Sequence, residues 1–297
     1  MKPVSTPLRA WILLLVLALI WGSSFILIKT GLSGLTAGEV GALRIVSASL
    51  FLLPIALAKI HKLRRRHLIL LLAVGFFGSL LPAFLFAAAQ TKLPSSIAGI
   101  LNALTPLFTM LLGVLFFSQR LSLRTFIGLI IGLGGTAYLI LVGSSDGLSG
   151  INLHALLVIL ATIFYGANLN LIKFKIQDLT ARTITSVSLL MVGPLAAVYL
   201  FGMTDFVSHV TYSNLVPVMS VVVLGLVGTA VALILFNELV KITSPVFTSS
   251  VTYLIPIVAV GWGVLDGESL QPGHFIGMAL IIAGVYLANR KPRKPVN

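Results

Sequence analysis

The sequence predicts an all-α membrane protein of ten transmembrane helices, arranged as two inverted five-helix repeats with both termini in the cytoplasm. Three observations carry this. The chain is 58% hydrophobic and 9% charged, with a mean hydropathy of +1.10. Soluble domains carry about 25% charged residues, and no water-soluble sphere hides this much apolar surface. Ten apolar stretches each approach the ~20 residues needed to cross a bilayer. The chain also repeats itself. Pro106 matches Pro256, and Gly113-Val114-Leu115 matches Gly263-Val264-Leu265, both at an offset of 150. After a one-residue slip, Phe126-Ile127-Gly128 matches Phe275-Ile276-Gly277. Such internal repeats in an apolar chain mark transporters built from two related halves.

The elements follow in order. Span 1 (10–30) trails Lys2 and Arg9 and resembles a signal peptide, but it lacks an A-x-A-like cleavage site and stays apolar through Trp21 to Ile28, so we read it as an uncleaved span. Span 2 (36–58) carries Glu39 and Arg44 near its start and is followed by Lys59, Lys62 and Arg64 to Arg66. Span 3 (68–90) carries no charged residue, and span 4 (94–117) contains Asn102 and Pro106. Span 5 (124–143) holds Gly128-x-x-x-Gly132, and span 6 (153–173) holds Tyr165, Asn168 and Asn170. Span 7 (183–203) is followed by span 8 (214–239), which carries Asn237 and Glu238 at its end with Lys241 just beyond. Span 9 (244–265) carries Tyr253 and Pro256, and span 10 (272–289) carries Gly273-x-x-x-Gly277. The repeats are expected at 10–143 and 153–289.

The net charge of +13 invites a nucleic-acid reading, but its distribution answers otherwise. With the N-terminus inside, every basic residue except Lys29, Arg44 and Lys92 falls in a cytoplasmic segment. Topology thus accounts for the charge, and we expect no nucleic-acid partner. Five spans per half reverse the second copy. Accordingly Trp21-Gly22…Lys29…Leu35-Thr36 matches Tyr165-Gly166…Lys173…Leu179-Thr180 at an offset of 144, with Lys29 at one face and Lys173 at the other. Inverted repeats give two pseudo-symmetric conformations around a midplane site.

W-G-S-S-F in span 1, N-x-x-x-P in span 4 and P-x-x-x-x-x-x-G…G-E-x-L at span 9 resemble the EamA family of the drug/metabolite transporter superfamily. The resemblance covers nearly the whole chain. It implies a multi-pass carrier of the bacterial inner membrane that moves a small metabolite, often exporting amino acids or related compounds. It further implies a central cavity lined by spans 1, 3, 4, 6, 8 and 9. Family repeats commonly end span 4 with a Glu like Glu268, and the equivalent here is Gln119.

Trp21 and Tyr165 are repeat equivalents that each offer a π-face and a polar edge; helix packing is the plainer role. Tyr253 shares the face of Pro256. Asn102 and Asn168 are expected to bond substrate or, equally, a neighbouring helix. These five are the candidate substrate contacts. Pro106 and Pro256 remove backbone hydrogen bonds within spans and are candidate hinges. Glu39 and Arg44, with Lys29 near the outer end of span 1, are candidates for an outer gate pair or for attracting an anionic group, and snorkelling to the interface is the alternative for Lys29; Glu238 with Lys241 is a helix-end ion pair or inner gate. Gly128, Gly132, Gly273 and Gly277 are expected to seal spans 5 and 10 together.

The chain has no cysteine and no G-x-x-x-x-G-K-[ST], H-E-x-x-H or G-x-S-x-G, so we expect no ATP-driven pump, metal site, cofactor or enzyme. A secondary carrier leads, with protons as a candidate coupling ion and a monomer or weak homodimer as the assembly. A lipid flippase or scramblase, and a membrane enzyme or sensor, are the alternatives.

Overall fold

A computed structural model describes residues 8–118, 123–142, 153–242 and 251–289. All regular structure there is helical. Seven segments are long and apolar enough to cross a membrane, and three shorter apolar helices join them. In chain order the helices are α1 (Leu8–Leu32), α2 (Ala37–Ile60), α3 (Arg65–Gly75), α4 (Leu81–Gln90), α5 (Ser95–Asn102), α6 (Thr105–Phe117), α7 (Leu123–Val142), α8 (Leu153–Lys175), α9 (Ala181–Gly202), α10 (Phe206–His209), α11 (Leu215–Val223), α12 (Ala232–Ile242), α13 (Val251–Leu265) and α14 (Pro272–Asn289). A π-helical turn at Phe76–Leu80 joins α3 to α4, and another at Leu224–Val231 joins α11 to α12.

Local chemistry explains several boundaries. Thr36 and Thr180, equivalents in the repeat, cap α2 and α9, each accepting from the backbone N–H three residues on at 3.3 Å. Glu39 returns the favour to Thr36 N at 2.8 Å, completing a capping box. The apolar run 94–117 is two helices rather than one. It breaks at Ala103–Leu104, and Pro106 stands in the first turn of α6, where its missing N–H costs no helical bond. Ser118 (φ 53°) and Gly267 (φ 78°) turn left-handed at the ends of α6 and α13, so the repeat reaches the helix stops themselves.

The two halves interlock by reciprocal contacts between equivalent residues. Gly22 of α1 lies against Val258 of α13, and Gly166 of α8 lies against Phe108 and Thr109 of α6. A methyl on Gly225 would come 2.6 Å from the Arg44 carbonyl, and one on Gly75 would come 2.6 Å from the Ser188 carbonyl. Gly284 abuts Gly128 O and Gly135 abuts Gly277 O, which joins α7 to α14 along a seam of small residues. Gly193 meets its own equivalent, Ser49, between α2 and α9. Reciprocity of this kind is what a two-fold axis imposes on an interface.

Between the halves lies a core that includes Leu17, Ile28, Ile45, Leu104, Val221 and Ile255. Large apolar side chains such as Leu19, Phe51, Phe116, Val198 and Phe201 are exposed on the outer helix faces. A surface this apolar requires a lipid surround.

Candidate functional site

The reciprocal packing leaves a cavity of about 170 Å³ between the halves. Trp21, Asn102, Tyr165 and Asn168 all line it. The side chain of Tyr253 lies outside the described residues, but Thr252 and Ile255 beside it reach the cavity. Phe25, Phe86 and Phe236 make most of the rest apolar; Phe236 packs on Trp21 and Phe86 stacks on Tyr165.

Both π-helical turns open onto this cavity. Each carries the same pattern, Gly75-Phe76-Phe77-Gly78-Ser79 and Gly225-Leu226-Val227-Gly228-Thr229, at the offset of 150. A π turn widens the helix by one residue and breaks its regular bonding, and such turns concentrate at functional sites. Here Gly228 O accepts from Trp21 Nε1 at 3.1 Å. A methyl on Gly78 would sit 2.5 Å from Asn168 Nδ2, and one on Gly228 would sit 3.0 Å from Ser24 Oγ, so equivalent glycines make room for equivalent side chains. The expected contacts missed this pair, although G-x-x-G-[ST] recurs at the same offset as the two prolines. The described Asn168 Oδ1 is buried and has no hydrogen-bond partner. Asn170 is structural: its Nδ2 donates to Thr109 O at 2.8 Å and Gly166 O at 2.9 Å, tying α8 to α6.

Arg44 does not pair with Glu39. Its Nε donates to Thr229 Oγ1 at 2.9 Å, its guanidinium meets the Tyr165 hydroxyl, and it lines the cavity. Seven residues into α2, it lies about 10 Å along the helix from the first turn. Glu39 stays at the helix end, where its carboxylate lies 2.9 and 3.1 Å from His209 Nδ1. Glu238 pairs with Arg9 at 3.1 Å, and the Lys241 side chain lies outside the described residues, as does that of Asn237. Pro256 is buried inside α13. Gly128, Gly132 and Gly277 lie in the α7–α14 contact with Gly135 and Gly284, while Gly273 sits in the first turn of α14.

Lys29 does not snorkel alone. It bonds Asp266 and, at 3.0 Å, Glu268 Oε1. That same carboxylate crosses from the second half to the N-terminus of α5 in the first. Its Oε1 accepts from Ser95 N (2.8 Å) and Ser95 Oγ (2.7 Å), and its Oε2 from Ser96 N (3.1 Å) and Ser96 Oγ (2.6 Å). An anion at a helix N-terminus satisfies orphan N–H groups and complements the helix dipole. Burial opposes ionisation of Glu268, but the bonds from Ser96, Ser95 and Lys29 outweigh it and lower the carboxyl to about 2. Gly263 leaves the space: a methyl there would lie 2.5 Å from Glu268 Oε2. Gln119, the equivalent of Glu268, lies outside the described residues.

The family model described as the EamA-like transporter family matches residues 8–141 and again 152–290. The chain is 28% identical over 298 aligned residues to the "Uncharacterized inner membrane transporter YedA" of Escherichia coli K12, covering 95% of this chain and 92% of that one. It is 27% identical to the "Probable amino-acid metabolite efflux pump" of Salmonella typhimurium, covering 93% of each. It is 26% identical to the "Probable terminal-alkyne amino-acid exporter" of Streptantibioticus cattleyicolor, covering 91% and 90%. A solved crystal structure shares the fold with a TM-score of 0.64 at 17% identity, over 94% of this chain and 96% of that chain.

Proposed function

The chain belongs to the EamA-like transporter family, and from that premise we propose that it is a secondary carrier exporting a small amphipathic metabolite, an amino acid or related compound, by alternating access. Its place is the cell inner membrane. The seven long apolar helices and three shorter ones make ten spans in this reading, in units of 10–143 and 153–289. The end bearing Lys59, Lys62, Lys173 and Arg182 faces the cytoplasm, with both termini. The end tied by Glu268 is then the outer gate.

The cavity is the observation that carries the proposal. Trp21 and Tyr165 are equivalents, as are Ser24 and Asn168, and all four line one space between the two halves. A site built symmetrically on a pseudo-two-fold axis is equally accessible to two mirrored conformers, which is what alternating access requires. The aromatic walls suit an apolar side chain, and the unpartnered Asn168 Oδ1 suits an amine or hydroxyl donor. Two relatives, named as a probable amino-acid metabolite efflux pump and a probable terminal-alkyne amino-acid exporter, agree with that chemistry. Neither half contributes a nucleotide-binding motif, so the driving force is a gradient, with protons a candidate. Glu268 stays ionised at neutral pH in this conformer.

Transport by purified protein in proteoliposomes tests the proposal. Wild type should move labelled amino acids above the rate of empty vesicles, and Trp21→Ala or Asn102→Ala should cut that flux about tenfold or more at equal folded yield. Unchanged kinetics in both variants would remove the cavity from the pathway.

A further inference from the structure

We propose that Arg44 is the specificity-determining residue of the cavity, and that it selects substrates carrying a carboxylate. This rests on the carrier reading above and sharpens the ligand class at the same site.

The first support is charge accounting. An unpaired cation in an apolar, membrane-embedded cavity is costly unless something neutralises it. The chain has only seven acidic residues. Five of them, Glu39, Asp178, Glu238, Asp266 and Glu268, pair with other bases, and among the described residues no carboxylate pairs with Arg44. Asp205 stands in the connection ahead of α10, outside the cavity lining, and the seventh, Asp146, lies outside the described residues. The partners Arg44 does have, Thr229 and Tyr165, are neutral hydroxyls. They hold the guanidinium in place without cancelling its charge, which leaves the anion to be supplied by a ligand.

The second support is the broken symmetry. Arg44 and Ser188 are equivalents at the offset of 144, and their backbones do the same job, each carbonyl packed 2.6 Å from the methyl position of Gly225 or Gly75. The scaffold therefore accepts a serine at this position. Nothing in the helix packing calls for a guanidinium, and only the half that faces Thr229 and Tyr165 has one. With Nε engaged by Thr229 and the Tyr165 hydroxyl also at the guanidinium, the remaining N–H groups of the terminal nitrogens are left for a planar two-oxygen acceptor, the geometry a carboxylate offers and an amide does not.

The test compares each standard amino acid with its α-amide, using thermal shift and competition for uptake by the full-length carrier at mildly acidic pH, where both keep their ammonium group. Wild type should prefer the acid over its amide by about 10- to 100-fold. Arg44→Ser, which copies the other half, should fold and lose that preference while amide binding is kept. Arg44→Lys should recover part of it, since the charge returns without the fork. Amides that bind wild type as well as the acids overturn the inference and leave the carrier reading standing. So does an Arg44→Ser variant that still prefers acids. If neither acids nor amides bind, the amino-acid reading fails and this inference falls with it.

Discussion

At the scale of single residues, the chemistry concentrates on side chains whose partners lie far away in sequence. Glu268 reaches Ser95 and Ser96 across 173 and 172 residues, and its carboxyl lies at about 2 instead of the ordinary 4.5. A carboxyl depressed in the folded state stabilises fully above its unfolded value and loses that contribution as pH falls towards its folded value. Wild type should therefore lose thermal stability between about pH 4.5 and 2, and Glu268→Gln should be less stable at pH 7 with a flatter acid limb over that range. Parallel acid limbs in the two proteins would count against the cap. Ser118 offers a test of opposite sign. It holds a left-handed conformation that its equivalent, Gly267, adopts at no steric cost. Ser118→Gly should raise stability by about 0.5–1 kcal/mol, read as a higher Tm. No local pattern announced these roles. Lys29 reads as a gate residue or a snorkelling interface lysine, and Arg44 as half of a pair with Glu39 or an attractor of anions, with no partner named on another helix, because spacing along a helix reports the face a residue shares and not what another helix brings to it.

At the scale of elements, glycine decides how closely helices approach. Gly284 meets the α7 backbone at Gly128 O and Gly132 N, so Gly284→Ala should destabilise the protein by roughly 1–3 kcal/mol. Gly134, one position from the seam, has open space around its methyl position, and Gly134→Ala should be neutral or slightly stabilising by helix propensity. Equal Tm changes for the two would contradict the seam. The π turns give a functional counterpart. Gly78→Ala displaces the flexible end of Asn168 rather than backbone, so it should lower transport while leaving folded yield intact. Sequence periodicity located the apolar runs well, as with 68–90 against the helical stretch 65–90. It did not disclose the break at Ala103–Leu104 or the two π turns. An apolar run keeps its hydropathy whether the backbone bonds four or five residues back. The recurring G-x-x-G-[ST] was the available clue.

At the scale of the whole molecule, the protein is a pseudo-two-fold scaffold with asymmetric chemistry fastened to it. The scaffold was legible, because equivalent prolines, glycines and capping threonines recur at offsets of 150, 149 and 144. The asymmetry was legible only as mismatches, Gln119 against Glu268, until the structure gave Glu268 its target. In the proposed cycle the Lys29–Asp266–Glu268 cluster must part for the outer gate to open. The natural absence of cysteine makes this directly testable. Lys29→Cys with Asp266→Cys, joined by a short thiol-reactive cross-linker, should bind substrate yet show no counterflow into proteoliposomes, and a cleavable linker should restore flux on reduction. A fully cross-linked carrier that transports at the rate of the unlinked one would contradict alternating access through this gate.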